Sequence, residues 1–307
     1  MSNLKITDGH TLGDSDSGKL NLDDYLNAIF KNDMRLFDAY QLEEVLAYID
    51  HNSPSMRGFL EVLINSSLWQ GWQIESNPYL SMILQIGSKI DHLASLKAEP
   101  AYHSKFHMMD VCLIVTCLLA CETSLQPEDR NHHLWQTSHR EKWLLLLSAA
   151  AHDLGHPGRM NSYPYEIEKD SLHLLQVLLE KEGYNTLQIE DVMNSLSPWI
   201  LATDHSQYIP LVNRLEGTTP SHTDCMAMLL VEADVTSSVL PNRGRVLTKR
   251  LSEEWENLYA QQSAALLNLL GYLKFLENLK FISPHAAVFQ LPIVLKKTIA
   301  KVQSELV

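Results

Sequence analysis

Leu144-Leu145-Leu146-Leu147-Ser148-Ala149-Ala150-Ala151-His152-Asp153-Leu154-Gly155-His156-Pro157-Gly158 is the stretch on which the reading of this chain turns. Its first part is an apolar run of helical character, and the run leads directly into a His-Asp pair. Neighbouring side chains on a helix diverge by about 100°, so His152 and Asp153 cannot face one ion from regular helix. They can converge only at an irregular helix end, which Pro157-Gly158 supplies. His156 follows four places after His152. A lone histidine here would read as a satisfied core residue. A His-Asp pair with partners elsewhere in the chain reads as a metal site.

The 307 residues are 45% hydrophobic, with 12 Gly and 12 Pro, an ordinary globular composition. A net charge of −13 argues against general nucleic-acid binding and against docking on anionic membranes. The same charge means that an anionic substrate needs a local source of positive potential, which bound divalent cations would provide. Cys112, Cys117 and Cys121 fall in one apolar stretch, Cys225 lies apart, and no zinc-knuckle spacing links them. They read as free thiols packed in helices, which implies a reducing compartment. With no apolar N-terminal signal segment and no uncharged run of membrane-spanning length, the expected location is cytoplasmic.

Residues 1–19, with Gly9, Gly13, Gly18, Asp14 and Asp16, hold few apolar groups and are expected to be a disordered tail. Beyond them helical spacing recurs. Leu22, Tyr25, Leu26 and Ile29 form one stripe, Leu42, Val45, Leu46 and Ile49 another, and Met56, Phe59, Leu60, Leu63 and Ile64 a third. Tyr79 to Leu96 is again helical, with Ile83, Ile86 and Ile90 in phase. Sustained alternation, solenoid repeats and a dividing linker are all missing, so residues 20–307 are expected to form a single all-α domain. Polar clusters at 126–131, 217–222 and 242–245 read as connections, and a leucine-rich helix over 263–281 is expected to stop at Ser283-Pro284. Arg243, Arg245, Lys249 and Arg250 read as a solvated helix face, with a phosphate contact as the alternative.

Tyr102-His103-Ser104-Lys105-Phe106-His107 places His103 and His107 four apart, on one face of a predicted helix, where two imidazoles can address one site. Further on, Leu229-Leu230-Val231-Glu232-Ala233-Asp234 brings carboxylates in at the end of an apolar helix, a costly placement unless they are paired or bind a cation. His107, His152, Asp153 and Asp234 come from three segments. Together they would make a mixed nitrogen and oxygen site suited to zinc or a harder first-row ion.

These segments resemble, in order and separation, the signatures of the class I cyclic-nucleotide phosphodiesterase catalytic domain, within the HD metal-phosphohydrolase superfamily. The matching residues are Tyr102-His103, His107 and Asp110-Val111; His152-Asp153, His156-Pro157-Gly158 and Asn161; Ala202-Thr203-Asp204 and Ser206; and Ala233-Asp234. The resemblance implies His107, His152, Asp153 and Asp234 as ligands of a tight first ion, usually zinc. Asp153 would bridge to a second ion, magnesium or manganese, with His156, Thr203, Asp204 and Asn161 around it. His103 would be the general acid, and Glu168 would hold it in orientation. The implied reaction is hydrolysis of a 3′,5′-cyclic nucleotide, cyclic AMP or cyclic GMP, to the 5′-monophosphate. A hydroxide bridging the metals would attack phosphorus in line, and His103 would protonate the leaving ribose oxygen.

The chain departs from the family at several positions and resembles a divergent member. Gly155 stands where a second Asp is usual, Ser104 for an Asn, Asp170-Ser171 for paired histidines, and Thr236-Ser237-Ser238 for Ser-Asn-Pro. The Gln-x-x-Phe pair that grips the purine is not intact. Its best positional match is Asn278 with Phe281, and Phe281 also reads as a plain core residue; Tyr102 is the remaining candidate substrate contact. Two alternatives therefore stand beside cyclic-nucleotide hydrolysis: an HD-type phosphohydrolase for another nucleotide or phosphodiester, and a catalytically degenerate nucleotide-binding protein.

Overall fold

Three stretches offer water no polar face: residues 107–119, 142–151 and 225–233 are buried at every position. A helix that is apolar all round belongs in the centre of a domain. The computed structural model describes residues 39–306 except 54, 126–130 and 218–219, together with Asp24. In chain order the helices are α1 (Ala39–Asn52), α2 (Met56–Ile64), α3 (Ser67–Gly71), α4 (Tyr79–Leu96), α5 (Lys105–Ala120), α6 (His132–Trp135), α7 (His139–Ala151) and α8 (Glu166–Lys181). There follow α9 (Thr186–Leu201), α10 (Tyr208–Glu216), α11 (His222–Val239), α12 (Arg243–Trp255), α13 (Ala260–Leu267), α14 (Leu269–Glu277), α15 (Pro284–Val288) and α16 (Leu291–Glu305). Among the described residues there is no strand, and no helix is long and apolar enough to cross a membrane. The all-α expectation therefore holds.

The helices that carry these buried stretches, α5, α7 and α11, pack on one another, and the amphipathic helices surround them. The expected stripes supply that outer layer: α2 buries Met56, Phe59, Leu60, Leu63 and Ile64, and α4 buries Met82, Ile83, Ile86 and Ile90. All four cysteines are free and buried, and burial pushes their thiols up, so they are inert packing groups. The expected tail and the Leu22–Ile29 stripe lie outside the described residues, Asp24 excepted.

Two expectations need correction. The leucine-rich stretch 263–281 is not one helix: it breaks between α13 and α14 at Asn268, whose side chain caps the Leu270 amide. The break brings the chain so close that a Cβ on Gly271 would lie 2.0 Å from the Ala265 carbonyl oxygen. The basic patch is not uniformly solvated either. Arg243 is buried at the start of α12, where Asp110 and Asp50 hold its guanidinium.

Helix starts are secured by side chains. Ser138 and Glu141 form a reciprocal capping box on α7. Glu141 also meets His222, the first residue of α11, at 2.6 Å from Nε2, while Nδ1 of the same ring lies 2.8 Å from the Leu134 carbonyl. With an acceptor on each ring nitrogen, His222 is held as the imidazolium. Burial alone would lower the ring, but Glu141 and the Leu134 carbonyl outweigh it and keep His222 above its ordinary 6.5. Burial likewise opposes the Glu141 charge, yet Ser138 and His222 hold that carboxyl below 4.5. The His222 contribution is complete below 6.5 and is lost as pH rises through the raised folded value. The Glu141 contribution is lost as pH falls below 4.5. Melting curves of wild type and His222→Gln should therefore differ most between those two values, and the gap should close on going to alkaline pH.

Candidate metal centre and active site

The ends of the buried helices converge. His107 lies in the first turn of α5, His152 caps the C-terminus of α7, Asp153 follows in the turn, and Asp234 sits in the last third of α11. The irregular end expected after Ala151 is present. Leu154 and His156 close tight turns back to Ala151 and Asp153, and Gly155 adopts φ +79°. A Cβ at Gly155 would meet the Leu174 side chain at 2.5 Å, so glycine fits this position on both counts.

His107 Nε2 lies 3.0 Å from Asp234 Oδ1 and 3.5 Å from Asp153 Oδ2. His152 Nε2 lies 3.2 Å from Asp153 Oδ2 and 3.7 Å from Asp234 Oδ1. Each imidazole nitrogen thus stands between the same two carboxylates. Adjacent donors at about 2.1 Å from a common ion are separated by roughly 3.0–3.4 Å, so the spacing fits one first-row cation. The ring orientations agree. His152 Nδ1 donates to the Ala149 carbonyl at 2.9 Å, which turns Nε2 inward, and that buried nitrogen makes no hydrogen bond. The side chains of His107 and His152 are both 1% exposed, while Asp153 and Asp234 are 13% and 20% exposed, so the site opens on its carboxylate side.

The electrostatics of the bare site demand a positive charge. Burial disfavours the charged form of His152, yet Asp153 and Asp234 raise its ring well above the ordinary histidine range. Burial alone would raise both carboxyls. The charges of His152 and His103 hold Asp153 far below that, and the adjacent His107 and His152 rings do the same for Asp234. A divalent cation held by the same four side chains would satisfy both carboxylates.

His103 is not on the helix with His107. Ser104 is the extended N-cap residue of α5, and the amides of Tyr102 and His103 are held off the helix by Glu254 Oε2, at 2.8 and 3.1 Å. Glu254 Oε1 also takes the His103 Nδ1 proton at 2.6 Å. The orienting carboxylate is therefore Glu254, from the end of α12, and the expectation for Glu168 is corrected. Glu168 instead accepts two hydrogen bonds from Asn161, at 2.9 and 3.2 Å, and burial pushes its carboxyl up. Sequence reading missed Glu254 because 151 positions separate it from His103, with no spacing rule between them. Burial lowers the His103 ring, but Asp153 and Glu254 together raise it above the ordinary value.

His156 stacks on His103, with centroids 3.6 Å apart and planes 23° apart. Its Nδ1 accepts from the Gly158 amide at 3.1 Å. Burial and the neighbouring His103 charge push it down to about 3, which leaves a neutral ring with its proton on Nε2. Tyr102 packs its ring 4.7 Å from both His103 and His107 and points its hydroxyl at Ser238 Oγ. A cleft lined by Ile90, Leu93, Pro100, Met108 and Lys97 has His103, Asp153 and His156 on its wall.

The other candidates make hydrogen bonds within the fold. Thr203 bonds the Ile200 carbonyl, and Asp204 accepts from the Tyr165 and Ser206 amides. Asn161 also accepts from the Ile167 amide, bracing the start of α8. Asn278 is the exposed end residue of α14, whereas Phe281 is buried in the core. The segment between them is tied down by its backbone. Tyr208 Oη donates to the Lys280 carbonyl and accepts from the Lys280 amide, both at 2.6 Å. Glu232 accepts from the Ile282 and Ser283 amides, at 2.6 and 2.9 Å, and from the Ser283 hydroxyl.

Comparison with known proteins defines the class. A family model described as 3′5′-cyclic nucleotide phosphodiesterase matches residues 102–270, over half of the chain. The chain belongs to that family. Among solved structures it is similar to LmjPDEB1 in complex with IBMX, with a TM-score of 0.62 and 17% identity over 92% of this chain and 97% of that one. At that identity the likeness is one of fold. No curated protein sequence matches.

Glu254→Gln keeps a hydrogen-bond acceptor beside His103 but removes the charge that favours its protonated form. With a cyclic nucleotide as substrate, the variant should lose roughly 10- to 100-fold in kcat, and the alkaline limb of its pH–rate profile should move to lower pH. Glu168→Gln should leave that limb in place.

Proposed function

We propose that this chain hydrolyses a 3′,5′-cyclic nucleotide to the 5′-monophosphate with two divalent cations. In this reading His107, His152, Asp153 and Asp234 hold a tight ion of the zinc type, and Asp153 shares a second, magnesium or manganese. The observation that carries the reading is the pair of inward imidazole nitrogens, each between the same two carboxylates at 3.0–3.7 Å. Ions bound there lower the pKa of water and neutralise charge gathering on the phosphoryl oxygens.

The chain's own residues supply the remaining steps. His103 commits Nδ1 to Glu254, so its other ring nitrogen is the one that faces substrate. As the imidazolium it gives a proton to the leaving ribose oxygen, and Glu254 stabilises the charged ring until the transfer. Neutral His156, stacked on it, adds no competing charge. Bound divalent cations would confine positive potential to this pocket, which is how an acidic protein can act on an anion.

Purified protein incubated with cyclic AMP or cyclic GMP in Mg²⁺ or Mn²⁺ should release the 5′-monophosphate, and a chelator should abolish the activity. His152→Ala should emerge without tightly bound metal. His103→Ala should retain metal and lose about 10²- to 10⁴-fold in kcat. One observation favours a second substrate class: Asn278 faces solvent and Phe281 is buried, so this pair does not build a purine clamp. Failure to turn over either cyclic nucleotide, with hydrolysis of another phosphate ester from a metabolite panel, would decide for a different HD-type phosphohydrolase.

A further inference from the structure

Directly behind the ligands lies a buried polar network that the chemistry above does not use. Asp110, fully buried, is one turn beyond His107 on α5, and Ser237 is one turn beyond Asp234 on α11. The Ser237 hydroxyl donates to Asp110 Oδ2 at 2.9 Å. Arg243, at the start of α12, closes on the same carboxylate as a fork, from Nε at 2.7 Å and from Nη2 at 2.6 Å. The outer edge of that guanidinium is held by Asp50 of α1, at 3.0 and 3.1 Å. Glu43, also on α1, accepts from the amides of Asn242 and Arg243, at 2.6 and 2.8 Å.

We propose that Arg243 is a positioning residue of the metal centre: by clamping Asp110, and Ser237 through it, it sets the register of α5 against α11 and so the spacing of His107 and Asp234. The proposal rests on the metal reading above. Buried ion pairs are weak sources of net stability, because the cost of removing two charges from water nearly cancels their attraction. What a planar, two-pronged contact supplies is orientation, and lysine cannot reproduce it. The cross-link sits where a small slide of either helix would spread donors that must stay about 3 Å apart to share an ion. Asp50 and Glu43 extend the clamp to α1, so the first described helix is braced against the rear of the site.

The test measures zinc affinity by competition with a chromophoric chelator, alongside melting temperature in excess chelator, for wild type, Arg243→Lys, Ser237→Ala and Asp50→Asn. Arg243→Lys should bind zinc roughly 10- to 100-fold more weakly. Ser237→Ala, which keeps every charge, should lose roughly fivefold, the worth of one hydrogen bond. Asp50→Asn loosens α1 but leaves Asp110 gripped, so it should melt lower with unchanged zinc affinity. A purely structural role would lower the melting temperatures and leave the zinc affinity of every variant unchanged, and that result overturns the proposal. If Arg243→Lys does not fold, Ser237→Ala decides: wild-type affinity overturns the proposal, and a loss supports it. A wild-type protein that binds no zinc overturns the metal reading, and the clamp with it.

Discussion

Two carboxylates and two imidazoles occupy one partly buried volume at the meeting point of three apolar helices. Everything around them answers to that placement. An uncompensated buried carboxylate costs several kcal/mol, so a site of this kind persists only if positive charge is supplied from close by. The raised His152 ring and the depressed Asp153 and Asp234 carboxyls follow from that juxtaposition. The apolar helices make the demand acute, because water cannot reach the imidazoles to relieve it.

Convergence depends on interrupted helices. Asp153 reaches the site only because α7 ends at Ala151, and Gly155 then takes a backbone conformation that side chains resist. His103 comes close to His107 from outside α5, held by a carboxylate from the far end of the chain. One helix, α12, touches both sides of the centre. Its first residue, Arg243, grips Asp110 one turn beyond His107, and Glu254 near its end holds His103. Eleven helical steps span about 16 Å, so a single rigid element links the residue that grips Asp110 to the one that holds His103.

Catalytic and recognition elements are built differently. The ligands lie on or beside the innermost helices, whereas the segment from Asn278 to Ser283 is attached through its backbone, by Tyr208 and Glu232. Such an anchor constrains the path of the chain but not the identity of its exposed side chains. The exposed side chains of this segment can therefore vary without disturbing the innermost helices.

The amino-acid sequence by itself determined the helical class, the buried character of α5, α7 and α11, and the four residues that gather at the centre. Each of these is written locally, as an apolar period, a cap, or a His-Asp pair at a helix end. Tertiary structure alone decided that Glu254 and not Glu168 holds His103, that Arg243 is buried and not solvated, and that the 263–281 stretch breaks at Asn268. The physical reason is common to all three. A carboxylate, a guanidinium and a leucine-rich helix each fit many surroundings, and which one they meet is set by packing between segments that no local spacing relates.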